Sequence, residues 1–407
     1  MPTGVVYLSH GRLFLKTEGS PPTEIESDFA QSIRQRAFEL NRRNAWKTQG
    51  RGAKFMSGGA LWGGDPDDAA GIRIVVTGCA RGSDGDLVYS LQSPEISGLF
   101  RLNESSKTEQ RLLHTSDFKI GHIAVQEATS RLAMSVQHRG GATIAVMEGT
   151  GSGFAEVTQG ESADESPQWF PGGANKIVFQ SAGLAQDERG RYVGRGPATI
   201  QALDLDSGTM TCLAEDSKFD LLGPQVSSDG SLYFIRRPYR GERPRFNFLH
   251  LVEDILLFPF RLIYALFQYL NLLTMMYTGK PLARSGNAQQ RYADMGRMVI
   301  WGNLIEARKS LLKSGDDAIG LVPASWELCR QGNDNATEVL AKGVLAFDLE
   351  SSGALVYSNG AAIYRREVDA KTSRLHKDSM IQLVISISDR VPTRAESANE
   401  AEILARS

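Results

Sequence analysis

Catalysis or metal binding would have to start from the histidine, cysteine, serine and acidic side chains, and their spacing in this 407-residue chain offers little for either. The six histidines, His10, His114, His122, His138, His250 and His376, include no close pair of the kind that ligates zinc. No Gly-x-Ser-x-Gly elbow is present to raise a serine nucleophile. Gly149-Thr150-Gly151-Ser152-Gly153 has the small residues of a phosphate loop but no Lys-Ser/Thr after it, so it reads as a hairpin connection. Asp65, Asp67 and Asp68 lie in a Gly-rich loop without the alternating oxygen ligands and closing Glu of a calcium site. Cys79, Cys212 and Cys329 are odd in number and far apart, which argues for buried free thiols rather than a disulfide framework or a metal site. No catalytic residue, metal or cofactor is therefore expected.

The chemistry that does stand out is that of a surface. Five arginines fall between 236 and 245, and an apolar stretch follows from Phe246 to Tyr277 with helical periodicity. His250, Asp254, Arg261, Gln268, Asn271 and Thr274 fall close to one narrow stripe and leave a wide face of Leu, Ile, Phe and Met. That pattern suits a helix lying in a membrane interface, with Arg240, Arg243 and Arg245 meeting anionic headgroups and Leu256, Phe260, Ile263, Phe267 and Leu270 in the apolar layer. The same face would also serve a helix packed on the rest of the chain or on a partner subunit. A second helical stretch is predicted from Gln289 to Lys313, and a shorter helix over 28–47, opened by Ser27 as cap.

The elements that carry these segments are repeats. Ser166-Pro167-Gln168-Trp169-Phe170-Pro171-Gly172-Gly173 runs into Lys176-Ile177-Val178-Phe179, and Gly223-Pro224-Gln225 through Ser228-Asp229-Gly230 runs into Leu232-Tyr233-Phe234. Each copy is a strand, a Gly-bearing turn and a second strand. Weaker copies surround Asp84-Gly85, Glu127 to Ser130 and Ser352-Gly353. Equivalent second-strand positions lie 45 residues apart from Leu87 to Leu132, 45 from Leu132 to Ile177 and 55 from Ile177 to Leu232. That is the period of a four-stranded propeller blade, because a lone hairpin cannot bury a face without neighbouring copies. The 123-residue step from Leu232 to Leu355 holds one blade plus an insertion, or else two blades.

Gly4 to Lys16 matches Ala354 to Arg365 without a gap, so the chain begins on the second strand of a blade. Ile381 to Ile387 is left at the far end as the missing first strand. The expectation is an all-β propeller over 1–387 with six blades, or seven if the long interval holds two, closed by strands from both termini. It carries a helical insertion (246–313) in blade five, resumed around Trp326 to Gln331, and a polar tail (388–407). Both ends of that insertion then lie on one side of any membrane. This excludes a single span, although Ile255 to Tyr277 is long enough for one.

The Pro-x-Trp-x-Pro-x-Gly type of repeat resembles the TolB-like, WD-type propeller repeats of bacterial proteins, specifically at Pro167 to Phe179 and Pro224 to Phe234. The resemblance implies a propeller and partner binding and brings no catalytic residue with it. Members that work in the periplasm start with a signal peptide, whereas Met1-Pro2-Thr3-Gly4 runs straight into a strand, so a cytoplasmic location is expected. A net charge of −2 gives no general attraction to nucleic acid. The function expected is a non-enzymatic scaffold for a protein partner, attached to a membrane surface or membrane complex. The alternative is a channel-metal hydrolase of the lactonase type, for which Asp84, Asp164, Asp229 and Asp348 are the candidate ligands, although Asp84 and Asp229 are better explained as turn residues.

Overall fold

The computed structural model describes residues 4–36, 39, 74–82, 84–103, 106–138, 140–186, 192–239, 297–300, 303–306, 320–332 and 334–387. The chain divides into two compact units, one of Met1–Ser27, Ile74–Arg240 and Ser314–Ser407, the other of Asp28–Arg73 and Gly241–Lys313.

The first unit is built of antiparallel sheets. β1 (Gly4–Ser9), β2 (Arg12–Thr17) and β3 (Thr23–Ile25) belong to one sheet, and β4 (Val75–Arg81), β5 (Leu87–Gln92), β6 (Ser97–Leu102) and β7 (Glu109–Thr115) form the next. β8 (Lys119–Val125), β9 (Leu132–His138), β10 (Gly141–Met147) and β11 (Ala155–Glu156) follow. After them come β12 (Ser162–Trp169), β13 (Lys176–Gln186), β15 (Thr199–Asp204) and β16 (Met210–Ala214), with β14 (Tyr192–Arg195) paired to an overlong end of β13. A single parallel bridge, Ala142 to Ala163, joins these last two groups into one sheet. β17 (Phe219–Val226), β18 (Leu232–Pro238), β21 (Glu327–Gln331) and β22 (Thr337–Lys342) make a further sheet, and β23 (Ala346–Leu349), β24 (Leu355–Ser358), β25 (Ala362–Arg366) and β26 (Thr372–Lys377) another. The last strand, β27 (Ile381–Ile387), pairs back onto β1, with Val5 opposite Ser386 and Leu8 opposite Leu383. The expected pairing of the two ends of the chain is thus present.

The repeats explain this arrangement locally. Ser227, Asp229 and Gly230 close the β17–β18 turn: Gly230 takes a positive φ of 83°, and Asp229 accepts from the Ser231 amide at 3.0 Å. The first strand of most sheets carries a β-bulge, at Val76/Gly78, Ile120/Ile123, Glu165/Gln168 and Leu222/Gln225. In the two strongest repeats the bulge falls on Ser166-Pro167 and Gly223-Pro224, and the residue before each proline has a positive φ, 53° and 58°.

The core lies between consecutive sheets. Val88, Leu99, Ile120, Met134 and Val136 pack the second against the third. Val178, Ile200, Leu221, Phe234 and Cys329 pack the fourth against the fifth, and Val5, Tyr7, Val356, Ile363 and Val384 join the sixth to the first. Each such fully buried side chain contributes roughly 1.5–3 kcal/mol. The first strands succeed one another as neighbours: β4 lies against β8, β8 against β12, β12 against β17, β17 against β23, β23 against β27 and β27 against β4. Glycines permit the close approach, since a Cβ on Gly78 would stand 2.1 Å from the Gly121 carbonyl oxygen and one on Gly141 2.4 Å from that of Ser162.

Antiparallel strands alternate in direction, so the links between second and third strands share one end of the unit with the links between sheets. Gly11, in the β1–β2 link, accepts from the Val76 amide at the start of β4, and Leu321 donates to Asn359 in the β24–β25 link, which marks that end. The flanks of all three long excursions, at Ser27 and Ile74, Gln186 and Tyr192, and Tyr239 and Gly320, lie there.

In the second unit residues 28–36 are helical, which agrees with the start of the helix expected over 28–47. The second expected helix, Gln289 to Lys313, is corrected: β19 (Arg297–Ile300) and β20 (Asn303–Glu306) form an antiparallel hairpin with Ile300 opposite Asn303. Met298, Val299, Leu304 and Ile305 satisfy a helical period, but they flank Trp301-Gly302, a two-residue spacing that favours a hairpin. The expectation of three buried thiols is corrected as well. Cys79 and Cys329 are buried, whereas Cys212 sits exposed on the outermost strand of its sheet.

Candidate functional site

The residues singled out for membrane or partner contact, Arg240, Arg243, Arg245, Leu256, Phe260, Ile263, Phe267 and Leu270, lie outside the described residues. What is described is their root in the fifth sheet. β18 and β21 are adjacent strands, Arg236 facing Glu327, so the excursion between them leaves and re-enters at one point of the sheet.

Two arginines of the basic cluster are already engaged there. Arg236 Nη2 meets Glu327 Oε2 at 2.7 Å, and its guanidinium lies 5.0 Å from the Phe219 ring centroid. Arg237 is buried, with Nε 2.9 Å from Asp220 Oδ2 and its head 5.0 Å over Trp326. Asp220 also accepts from the Ala198 amide at 2.9 Å, which ties the fourth sheet to the fifth. Burial pulls Arg237 below its usual value, with Arg195 acting in the same sense and Asp220 opposing. Arg195 ends β14, and its carbonyl accepts from the Tyr239 hydroxyl.

Toward the first strands lies a row of amide and carboxylate groups. Gln180 donates to Glu165 at 3.0 Å and accepts from the Gly223 amide at 2.8 Å. Gln225 accepts from the Leu349 amide at 2.9 Å. His122, on the β8 bulge, is lowered by burial against the opposing influence of Glu165, which keeps it neutral near pH 7. Asp348 Oδ2 accepts from the Ser386 amide at 2.8 Å, Glu350 accepts from the Ser386 hydroxyl at 2.6 Å, and Arg365 pairs with Glu350 at 2.9 Å. Burial, joined by the nearby charge of Glu350, raises Asp348 to about 6.

The four aspartates weighed as channel ligands are accounted for separately. Asp84 and Asp229 accept from amides two residues on, as turn residues do. The Ser227 hydroxyl, then the Ser231 amide, hold Asp229 down at about 2. Asp164 accepts from Ser181 at 2.6 Å, and Asp348 serves β27. Among the described residues no group of three or more His, Cys, Asp or Glu is placed to hold a metal ion. Burial pushes the Cys79 thiol up to about 12 and Cys329 up to about 11, which keeps both protonated and unreactive. The bonds of these groups fasten neighbouring strands and sheets together. Sequence reasoning missed Arg195, Asp220, Gln180 and Glu350. The only signal for the amide row was the repeated Pro-Gln pair at 167–168 and 224–225.

No protein-family model matches the chain, and no curated protein matches its sequence. Its fold is similar to that of a chain in the nidogen/laminin complex, with a TM-score of 0.51 at 8% identity over 95% of this chain and 98% of that one. TolB from Acinetobacter baumannii is similar at a TM-score of 0.48 and 11% identity, over 94% of this chain and 65% of the TolB chain. The putative TolB from Agrobacterium tumefaciens gives 0.39 at 12% identity over 77% and 88%. At such identities the likeness concerns fold alone. The described residues are mostly β, made of antiparallel sheets, with a propeller-like structural neighbour.

Proposed function

We propose that the chain is a six-bladed β-propeller scaffold, with no catalytic role, that holds a protein partner at a membrane surface through the excursion of its fifth blade. Support for six blades comes from the cyclic succession of β4, β8, β12, β17, β23 and β27 as neighbours, with β27 next to β4 again. Such a closed ring leaves no open sheet edge at its centre. The observation that carries the attachment is the pairing of β18 with β21 across the excursion. The excursion that contains the apolar run 246–277 therefore leaves and rejoins the sheet at one place, which suits a helix lying in an interface rather than a single crossing. Among the described residues no helix is long and apolar enough to cross a membrane.

The binding half of the reading rests on face geometry, since three excursions leave the first unit at one end. Arg236 and Arg237 are committed to Glu327 and Asp220, so headgroup attraction falls to Arg240, Arg243 and Arg245.

Sedimentation with anionic vesicles tests attachment. Replacing Ile263 and Phe267 with Asp is expected to release the protein without lowering its Tm, and Gln at 240, 243 and 245 to weaken binding at low salt while Lys preserves it. Absence of vesicle binding in the wild type, with loss of fold in the Asp variant, would make the stretch a packed core or subunit contact. The rival lactonase-type hydrolase requires stoichiometric bound metal and turnover of a lactone, which metal analysis and a substrate screen would reveal.

A further inference from the structure

Arg195 has a fixed backbone and an unfixed head. Its register partner is Leu184, the neighbouring Gly196 amide donates to the Gly183 carbonyl at 2.9 Å, and its own carbonyl accepts from Tyr239. The guanidinium, by contrast, has both Nε and Nη2 buried with no hydrogen-bond partner among the described residues. Arg236 and Arg237 on the adjacent sheet each have a carboxylate. A buried donor stripped of water and left unpaired is unfavourable, most of all when it is charged. The orphaned atoms form the Nε–Nη2 edge, the side of the fork that offers two parallel N–H groups to a pair of oxygens.

A second positive group stands behind it. The charge of Arg195 reaches Arg237, whose bonded acid is Asp220. Glu165 also reaches Arg237 electrostatically, so the pull on an anion comes from the unpaired Arg195 fork itself, whose two N–H groups match a pair of phosphate oxygens. The side chain of Arg195 is half-buried, so its flexible stem has a path along which the head can meet a ligand at the surface.

We propose that Arg195, backed by Arg237, is a receptor for a phosphate group offered at the end of the molecule from which the excursions leave. The phosphate belongs either to a soluble phosphate ester or to a lipid headgroup, and the site does not depend on the attachment argued above, because both arginines lie in the first unit.

The test is calorimetric titration of the full chain with inorganic phosphate in buffer free of other oxyanions. One saturable phosphate per chain is expected, weakened about tenfold or more in Arg195→Gln, partly retained in Arg195→Lys and unchanged in Arg12→Gln. Circular dichroism keeps loss of fold apart from loss of the site, and Arg195→Lys reports if the Gln variant is unstable. Phosphatidic acid vesicles then assign the source. Binding that inorganic phosphate competes away and Arg195→Gln loses points to a headgroup, and phosphate uptake with vesicle binding unaffected points to a soluble ester. No saturable uptake by the wild type, or equal uptake by Arg195→Gln, overturns the proposal.

Discussion

Asp348 and Glu350 stand two positions apart at the end of β23, and both serve Ser386 of β27, one through its amide and the other through its hydroxyl. Burial, helped by the nearby charge of Glu350, raises the proton affinity of Asp348, to about 6. The unfolded value is about 3.9, so the folded state binds this proton more tightly. The contribution is then fully present below about pH 4 and is lost as pH rises toward about 6. Thermal unfolding of wild type and Asp348→Asn between pH 4 and 7 should show the wild-type Tm falling relative to the variant across that window. Curves that run parallel would rule the assignment out, since other titrating groups cancel in the comparison. None of this was visible in the sequence, where Asp348 stood out only as a channel candidate. Its neighbour in space, Ser386, is 38 positions away, and no local pattern connects the two.

At the scale of elements, the hairpins were legible because their turns are written in residue types. Asp229-Gly230, Asp84-Gly85 and Ser352-Gly353 mark reversals between β-branched runs, and each lies where two strands meet. The hairpin of β19 and β20 was read as helix because four apolar residues in a short window satisfy both periods, and only Gly302 between them favoured the strand reading. Cys212 was misplaced for a related reason: strand pattern says nothing about which strand is outermost. Glycines divide into two kinds that a sequence cannot separate. Gly78 is required by space, its missing Cβ falling 2.1 Å from a backbone oxygen of the next sheet, whereas Gly223 has open space around it and is required only by its φ of 58°. Gly223→Ala should therefore cost about 1–2 kcal/mol, and Gly78→Ala should cost more, because two backbones must part. Urea unfolding of both variants compares them directly. Equal losses would mean that β4 and β8 are not in close contact.

For the molecule as a whole, the two ends of the chain meet in one sheet, and this was readable because Gly4 to Lys16 repeats a pattern found near the other end. Ending the chain after Met380 removes Ile381 and Val384 from the core shared with Tyr7 and Val356. With each worth roughly 1.5–3 kcal/mol, and the pairing of β1 lost as well, that truncation should lower Tm sharply, whereas ending the chain after Ile387 leaves every described strand in place and should change it little. Equal Tm values for the two would remove the structural role given to β27.

The same seam imposes a timetable. β1 leaves the ribosome well before its partner β27, which follows about 20–75 s later at ordinary rates of synthesis because most of the described chain lies between them. Through that interval Val6 and Tyr7, wholly enclosed in the finished protein, have one flank without its strand. A chain cut short between β26 and β27 has its other described strands and an open flank, the form most apt to stick to its siblings. Nascent chains should for this reason stay bound to chaperones until translation ends, and a permuted gene that joins residue 387 to residue 4 should shorten that dependence, because the closing pair would then be made back to back.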